Sequence, residues 1–181
     1  MSQQRTPSTP RRIAGEVAAH VAAEEHAYAA GTPRPLGGYA ALLSAYGTGV
    51  GALAWAIRRH GALPERVPAG DLALITVATH KLARLVTKDS VTAVVRAPFT
   101  RFDEPIGEGE VNEEVRGSGM RHATGELLTC PFCFAQWIAT GFIGAYVLAP
   151  RATRLVASVF AVLAGSDALQ FGYSALRKLE G

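Results

Sequence analysis

The stretch from Leu127 to Pro150, LLTCPFCFAQWIATGFIGAYVLAP, carries no formal charge over 24 residues. A helix of about 20 apolar residues spans the hydrocarbon core of a bilayer, so this run predicts a transmembrane helix over 130–149. Both cysteines of the chain, Cys130 and Cys133, stand at its start. Pro131 between them suits a first helical turn, where a missing N–H costs nothing. The expectation is a membrane-spanning helix with two thiols at its N-terminal mouth.

Three further segments join it. Leu36 to Ile57 is an uncharged run of 22 residues and predicts the first span. Its Gly47 and Gly51 form a GxxxG that permits close helix approach, although small residues are common in such spans anyway. Trp55 followed by Arg58, Arg59 and His60 reads as an interfacial anchor. Leu72 to Val86 is mixed. His80, Lys81, Arg84 and Lys88 fall within one arc of about 100°, with Ile75, Ala78, Leu82, Leu85 and Val86 opposite. A span over 71–87 whose basic stripe faces a protein or water interior is the preferred reading, and an interfacial helix is the other. Leu155 to Leu176 holds a single charge, Asp167, and predicts a fourth span after a tight turn at 150–154. Asp167 is costly in lipid unless paired, so it is expected to face the bundle, with His80, Lys81 or Arg84 as partner.

The remainder is polar. Residues 1–35 read as an extension: Met1 to Arg12 disordered, Ile13 to Ala30 alanine-rich and weakly helical, and Gly31 to Pro35 a break. The connection over 88–129 reads as a polar loop with a short surface helix in Ser90 to Pro98. Its acids Asp103, Glu104, Glu108, Glu110, Glu113 and Glu114, interleaved with glycines, read as a solvated loop. Asn112 is expected to cap a short helix toward Met120. Lys and Arg count eleven in the N-terminal tail, this loop and the C-terminus, against five in the other connections. That bias predicts cytoplasmic termini and a cytoplasmic loop.

Composition narrows the function classes. Charged residues are 18% of the 181, below the roughly 25% of soluble domains. The net charge of +3 is spread along the chain, which excludes a basic nucleic-acid footprint. Two cysteines are too few for a disulfide framework. No secretory signal is visible, and there is no phosphate-binding loop, GxSxG elbow or HExxH zinc motif.

The strings HKLARLVTKDSVTAVVRAPFTRF (His80 to Phe102) and GEVNEEVRGSGMRHATGELLTCPFCFAQWIA (Gly109 to Ala139) resemble a family of small bacterial membrane proteins, domain-of-unknown-function family 1360. The HKL…TKD, RAPF and GELLTCPFC elements stand in the family's order. The likeness covers about Leu36 to Leu176 and implies a multi-pass protein of the bacterial cell membrane. It supplies no reaction, substrate or ligand, so the chemistry rests on the residues.

Cys130 and Cys133 support three readings. At a helix N-terminus a thiol becomes acidic, so the pair can act as a redox couple, with both residues catalytic. Alternatively they supply two thiolates to zinc or iron, with His122 and His80, or a second copy, completing four ligands. The third reading is inert packing at a helix entrance. His80, Lys81, Arg84 and Asp167 form the second constellation, either a structural ion-pair cluster or the path of a small transporter or channel subunit. The expected fold is therefore all-α, a polytopic membrane bundle of about four spans over 36–178. The leading function is a structural or interaction protein in the lipid bilayer, with a homo-oligomer or another membrane protein as partner and no nucleic acid. A thiol–disulfide oxidoreductase or metal-binding protein is the alternative.

Overall fold

The structure, a computed structural model, describes residues 10–29, 34–60 and 63–180. Its first element, α1 (Pro10–Ala29), begins inside the stretch expected to be disordered. Of that stretch, residues 1–9 lie outside the described residues. α2 (Leu36–His60) starts where the first uncharged run starts. It ends on Arg58, Arg59 and His60, cations placed at the negative end of the helix dipole. α3 (Ala69–Thr87) begins two residues before the expected span over 71–87 and ends with it.

The segment expected to be a loop is folded. α4 (Ala93–Arg96) is a single turn. β1 (Thr100–Gly107) and β2 (Glu110–Val115) pair antiparallel as a hairpin, with Thr100 opposite Val115 and Gly107 opposite Glu110. Gly109 turns it at φ +80°, in the left-handed region that glycine enters without strain. The fold is thus mostly helical with a small two-stranded sheet, not all-α. The expected cap residue Asn112 lies in β2 instead, where its amide donates to Asp103 Oδ2 at 3.1 Å. α5 (Gly119–Thr129) begins after Ser118.

α6 (Pro131–Leu148) is separated from α5 by Cys130 alone, and α7 (Pro150–Glu180) from α6 by Ala149 alone. The tight turn expected at 150–154 is therefore the first turn of α7. Proline at position 150 opens that helix, as Pro131 opens α6, because the first turn has no use for its N–H.

α3 lies against both α6 and α7, while α2 lies against α5 and α6. The core is the seam between the first three: Ile75 and Ala78 of α3, Phe142 and Tyr146 of α6, Ala157 of α7. Phe142 and Phe160 meet edge-to-face at 6.4 Å. On the other side of α6, Tyr46 and Trp137 do the same at 5.1 Å, and the Tyr46 hydroxyl reaches Thr140 Oγ1 at 2.7 Å. Gly144 lets α2 come close, since a Cβ there would lie 2.3 Å from Leu53 Cδ2. The expected GxxxG glycines, Gly47 and Gly51, face open space.

Most large apolar side chains are outside this core. Leu43, Trp55, Leu155, Val162 and Leu169 are each more than half exposed. Among the described residues three helices, α2, α6 and α7, are long and apolar enough to cross a membrane. α3 is not one of them, because Asp71, Lys81 and Arg84 interrupt its apolar face.

Candidate functional site

Each charge of α3 is answered from outside the helix, two from α7 and one from β2. At its N-terminal end Arg154 of α7 grips Asp71 with two bonds, 2.8 Å from Nε and 2.7 Å from Nη2. The Tyr146 hydroxyl donates to the same carboxylate at 2.6 Å. Further along, Lys81 Nζ donates to Asp167 Oδ2 at 2.5 Å. Of the three partners expected for Asp167, the structure selects Lys81. Arg84 forms a forked pair with Glu110 at the start of β2, its Nε lying 3.0 Å from Oε1.

The second and third pairs face a cleft of about 600 Å³ between α3, α7 and the hairpin tip. His80, Lys81, Arg84 and Asp167 all line it, as do Asp89 and Glu108. The constellation of His80, Lys81, Arg84 and Asp167 thus shares one cavity. Lys81 is 19% exposed and Asp167 40%, so the surroundings of the cleft partly screen the pair. An isolated surface pair contributes up to about 1 kcal/mol, and breaking a buried one costs about 3–5 kcal/mol. Asp167→Asn is expected to fall between these limits, at about 1–2 kcal/mol in detergent unfolding. A variant as stable as the parent would show the pair to be fully solvated.

Above α3 a buried arginine ties the polar segment down. Arg96 is completely buried, the largest side chain among the described residues with no exposure at all. Its Nε donates to Glu113 Oε2 at 2.6 Å. Nη1 donates to Val86 O at 2.7 Å and Thr92 Oγ1 at 2.9 Å, and Nη2 to Asp89 O at 2.9 Å. The guanidinium therefore neutralises a buried carboxylate and satisfies carbonyls at and beyond the end of α3, which a helix terminus leaves without partners. Backbone bonds add to this: Val111 N–H to Lys88 O and Ser90 N–H to Gly109 O, both 2.9 Å. α4, the hairpin and α5 form a folded cap fastened to α3.

The thiols sit where the cap meets α6. Cys130 is extended, at φ −101° and ψ 104°, and occupies the N-cap position. Its Sγ accepts the Cys133 N–H at 3.2 Å, so a sulfur takes the place usually filled by a hydroxyl or carboxylate. Both thiols are free; Cys130 is half-buried and Cys133 exposed. His122 is on α5, 3.5 Å from Glu126, and His80 is in the α3 cleft. Among the described residues no three His, Cys, Asp or Glu side chains gather closely enough to hold a metal. The four ligands weighed for zinc or iron are therefore not brought together within one chain. Cys130→Ala removes the cap and is expected to cost about 1 kcal/mol in unfolding, whereas Cys130→Ser keeps an acceptor and stays near the parent.

Glu126, four residues before Cys130, collects Arg34 at 2.9 Å, the Tyr39 hydroxyl and His122. The Tyr39 hydroxyl and then Glu126 raise the Arg34 pKa above its ordinary value, so Arg34 stays charged. This anchors the start of α2 to α5.

The family-model match runs from residue 74 to 173, more than half of the chain. The chain belongs to the DUF1360 family, proteins of unknown function. The matched region holds the cap, the thiols and the partners of Lys81, Arg84 and Arg96, and leaves Asp71 just outside. The chain is also similar to sporulation protein YjcA of Bacillus subtilis (strain 168), with 30% identity over 94 residues, 50% of this chain and 80% of that protein. No solved structure matches the chain.

Three features of this DUF1360 chain escaped sequence reasoning. In sequence, Asp71 is only the first residue of the expected span over 71–87, and Arg154 the last of the expected turn at 150–154. The available signal was a lone acid at the start of an apolar helix. Arg96 was counted among loop cations, although it stands between valines and Ala-Pro, a setting that favours burial. Glu126 was read only as the edge of an apolar run.

Proposed function

We propose that this chain is an integral protein of a bacterial membrane, with four spans and a folded cytoplasmic cap, acting as a non-catalytic scaffold. The observation that carries this reading is the complete pairing of the charges of α3 by Arg154, Asp167 and Glu110. A helix with paired charges, held between α6 and α7, can cross a bilayer as the polar interior of a bundle. The exposed apolar faces of α2, α6 and α7 then meet lipid, where they cost nothing. In water the same faces would form far larger apolar patches than a soluble monomer carries.

The Lys and Arg bias supports a cytoplasmic cap and cytoplasmic termini. Single cysteines at Ser118 and Glu65, in a chain whose native cysteines are serine, test this directly. In intact cells a membrane-impermeant maleimide is expected to label Glu65→Cys and spare Ser118→Cys. The opposite pattern reverses the orientation, and labelling of both on one side removes the even number of spans.

A second reading rests on the Cys130 sulfur accepting an N–H at the mouth of α6. The two sulfurs stand three residues apart across the first turn of α6, a spacing that suits a dithiol couple. In this reading the purified protein carries no stoichiometric zinc or iron, and Cys130 and Cys133 interconvert with a disulfide at a defined potential. Two inert thiols with no such couple leave the scaffold reading alone.

A further inference from the structure

α4 and its flanking turns are built inside out. With about 100° per residue, Val91, Val94, Val95 and Pro98 share one face, and Thr92 and Arg96 share the opposite one. In a water-facing turn the valines would be buried and the arginine exposed. Here Arg96 is 0% exposed, while Val91, Val94 and Val95 are 84%, 77% and 53% exposed. The inversion is held by the bonds from Arg96 to Glu113, Val86 O and Asp89 O. Its polar interior leaves the apolar face uncovered among the described residues.

Two arginines mark one end of that face. Arg116 donates to Ala97 O at 2.6 Å, and Arg121 to Pro98 O at 2.9 and 2.6 Å. Both side chains are exposed, so their charge is open to an outside anion. The turn lies three residues beyond the end of α3 at Thr87. An apolar face bordered by cations, continuous with the end of a helix in the bundle, matches the boundary between acyl chains and anionic headgroups.

The geometry points to an interfacial anchor: the Val91–Pro98 turn rests its valines in the cap-side leaflet, with Arg116 and Arg121 on lipid phosphates. The inference rests on the bilayer-spanning reading above. It adds that the cap is not free in the cytoplasm but seated on the membrane surface. A protein partner would need an apolar patch with acidic neighbours, and nothing in the chain supplies continuity with such a partner.

Spin labels on single cysteines, in full-length protein with Cys130 and Cys133 as serine, separate the two claims. The protein is reconstituted into phosphatidylcholine vesicles with and without phosphatidylglycerol. Collision rates with oxygen and with a polar nickel complex report depth. Val94→Cys and Val91→Cys are expected to read as membrane-inserted, more deeply when the anionic lipid is present. Val162→Cys on α7 is expected to read as lipid-facing and Asp103→Cys as aqueous. A lipid signal at 162 with an aqueous signal at 91 and 94 overturns the anchor and leaves the spans standing. An aqueous signal at 162 overturns the spanning reading itself. Shielding of 91 and 94 from both collision partners means a protein covers the valines, and that also overturns the anchor.

Discussion

Replacing Arg96 with alanine is expected to destabilise the protein by about 3–5 kcal/mol, the cost of breaking a fully buried ion pair. Glu113, with a side chain only 5% exposed, would keep its charge with no partner. Val86 O and Asp89 O would each lose the donor that Arg96 supplies. Loss should begin in the cap, so hydrogen exchange across residues 100–115 should rise before the core over Ile75 and Phe142 opens. Arg96→Lys is not conservative, because one ammonium cannot span Glu113 and both carbonyls. Arg96→Met combined with Glu113→Leu removes both charges and should recover much of the loss in thermal unfolding, since apolar replacement of a buried pair is often neutral. Equal stability of Arg96→Ala and the parent would mean the cap contributes nothing to the fold.

The same residue shows where sequence reasoning stops. The starts of α2 and α6 were legible, because uncharged runs of membrane length have few other uses. The α3 helix was legible as a helix through its period, and its basic stripe through the same arithmetic. The hairpin was not. β1 and β2 carry Asp103, Glu104, Glu110, Glu113 and Glu114 without strict alternation, and their pairing is set by backbone bonds and by the grip on α3. Burial in the cap also runs against residue type, with Arg96 inside and three valines outside. Rules that place apolar residues inside mislead in a segment whose surroundings need not be water.

The second large effect is expected at Gly38, in the first turn of α2. A Cβ there would stand 2.8 Å from Ala123 Cβ and 2.9 Å from Gly119 O. One obstacle is a helix methyl and the other a backbone carbonyl, so neither can swing aside. Gly38→Ala should push α2 from α5 and cost about 1–3 kcal/mol. Ala123→Gly in the same chain should restore part of it. Gly47→Ala and Gly51→Ala make the contrast. Both positions meet open space, so removing backbone freedom should stabilise each by about 0.5–1 kcal/mol. Thermal unfolding of the four variants side by side reads the sign directly. A neutral Gly38→Ala would show that the α2–α5 contact is loose.

Single-residue joints have a consequence for how this chain enters a membrane and what it can say across one. Between Gly119 and Glu180 only Cys130 and Ala149 interrupt the helices. If the chain spans a bilayer as proposed, α6 and α7 can insert together as a closed helical hairpin, dragging almost no unpaired backbone through the hydrocarbon. Among the described residues, the far side is then left with that one-residue corner and the connection over 63–68. Such a surface offers little for a ligand or a neighbour to hold. In the bilayer-spanning reading, whatever this protein tells the cell, it tells from the capped side.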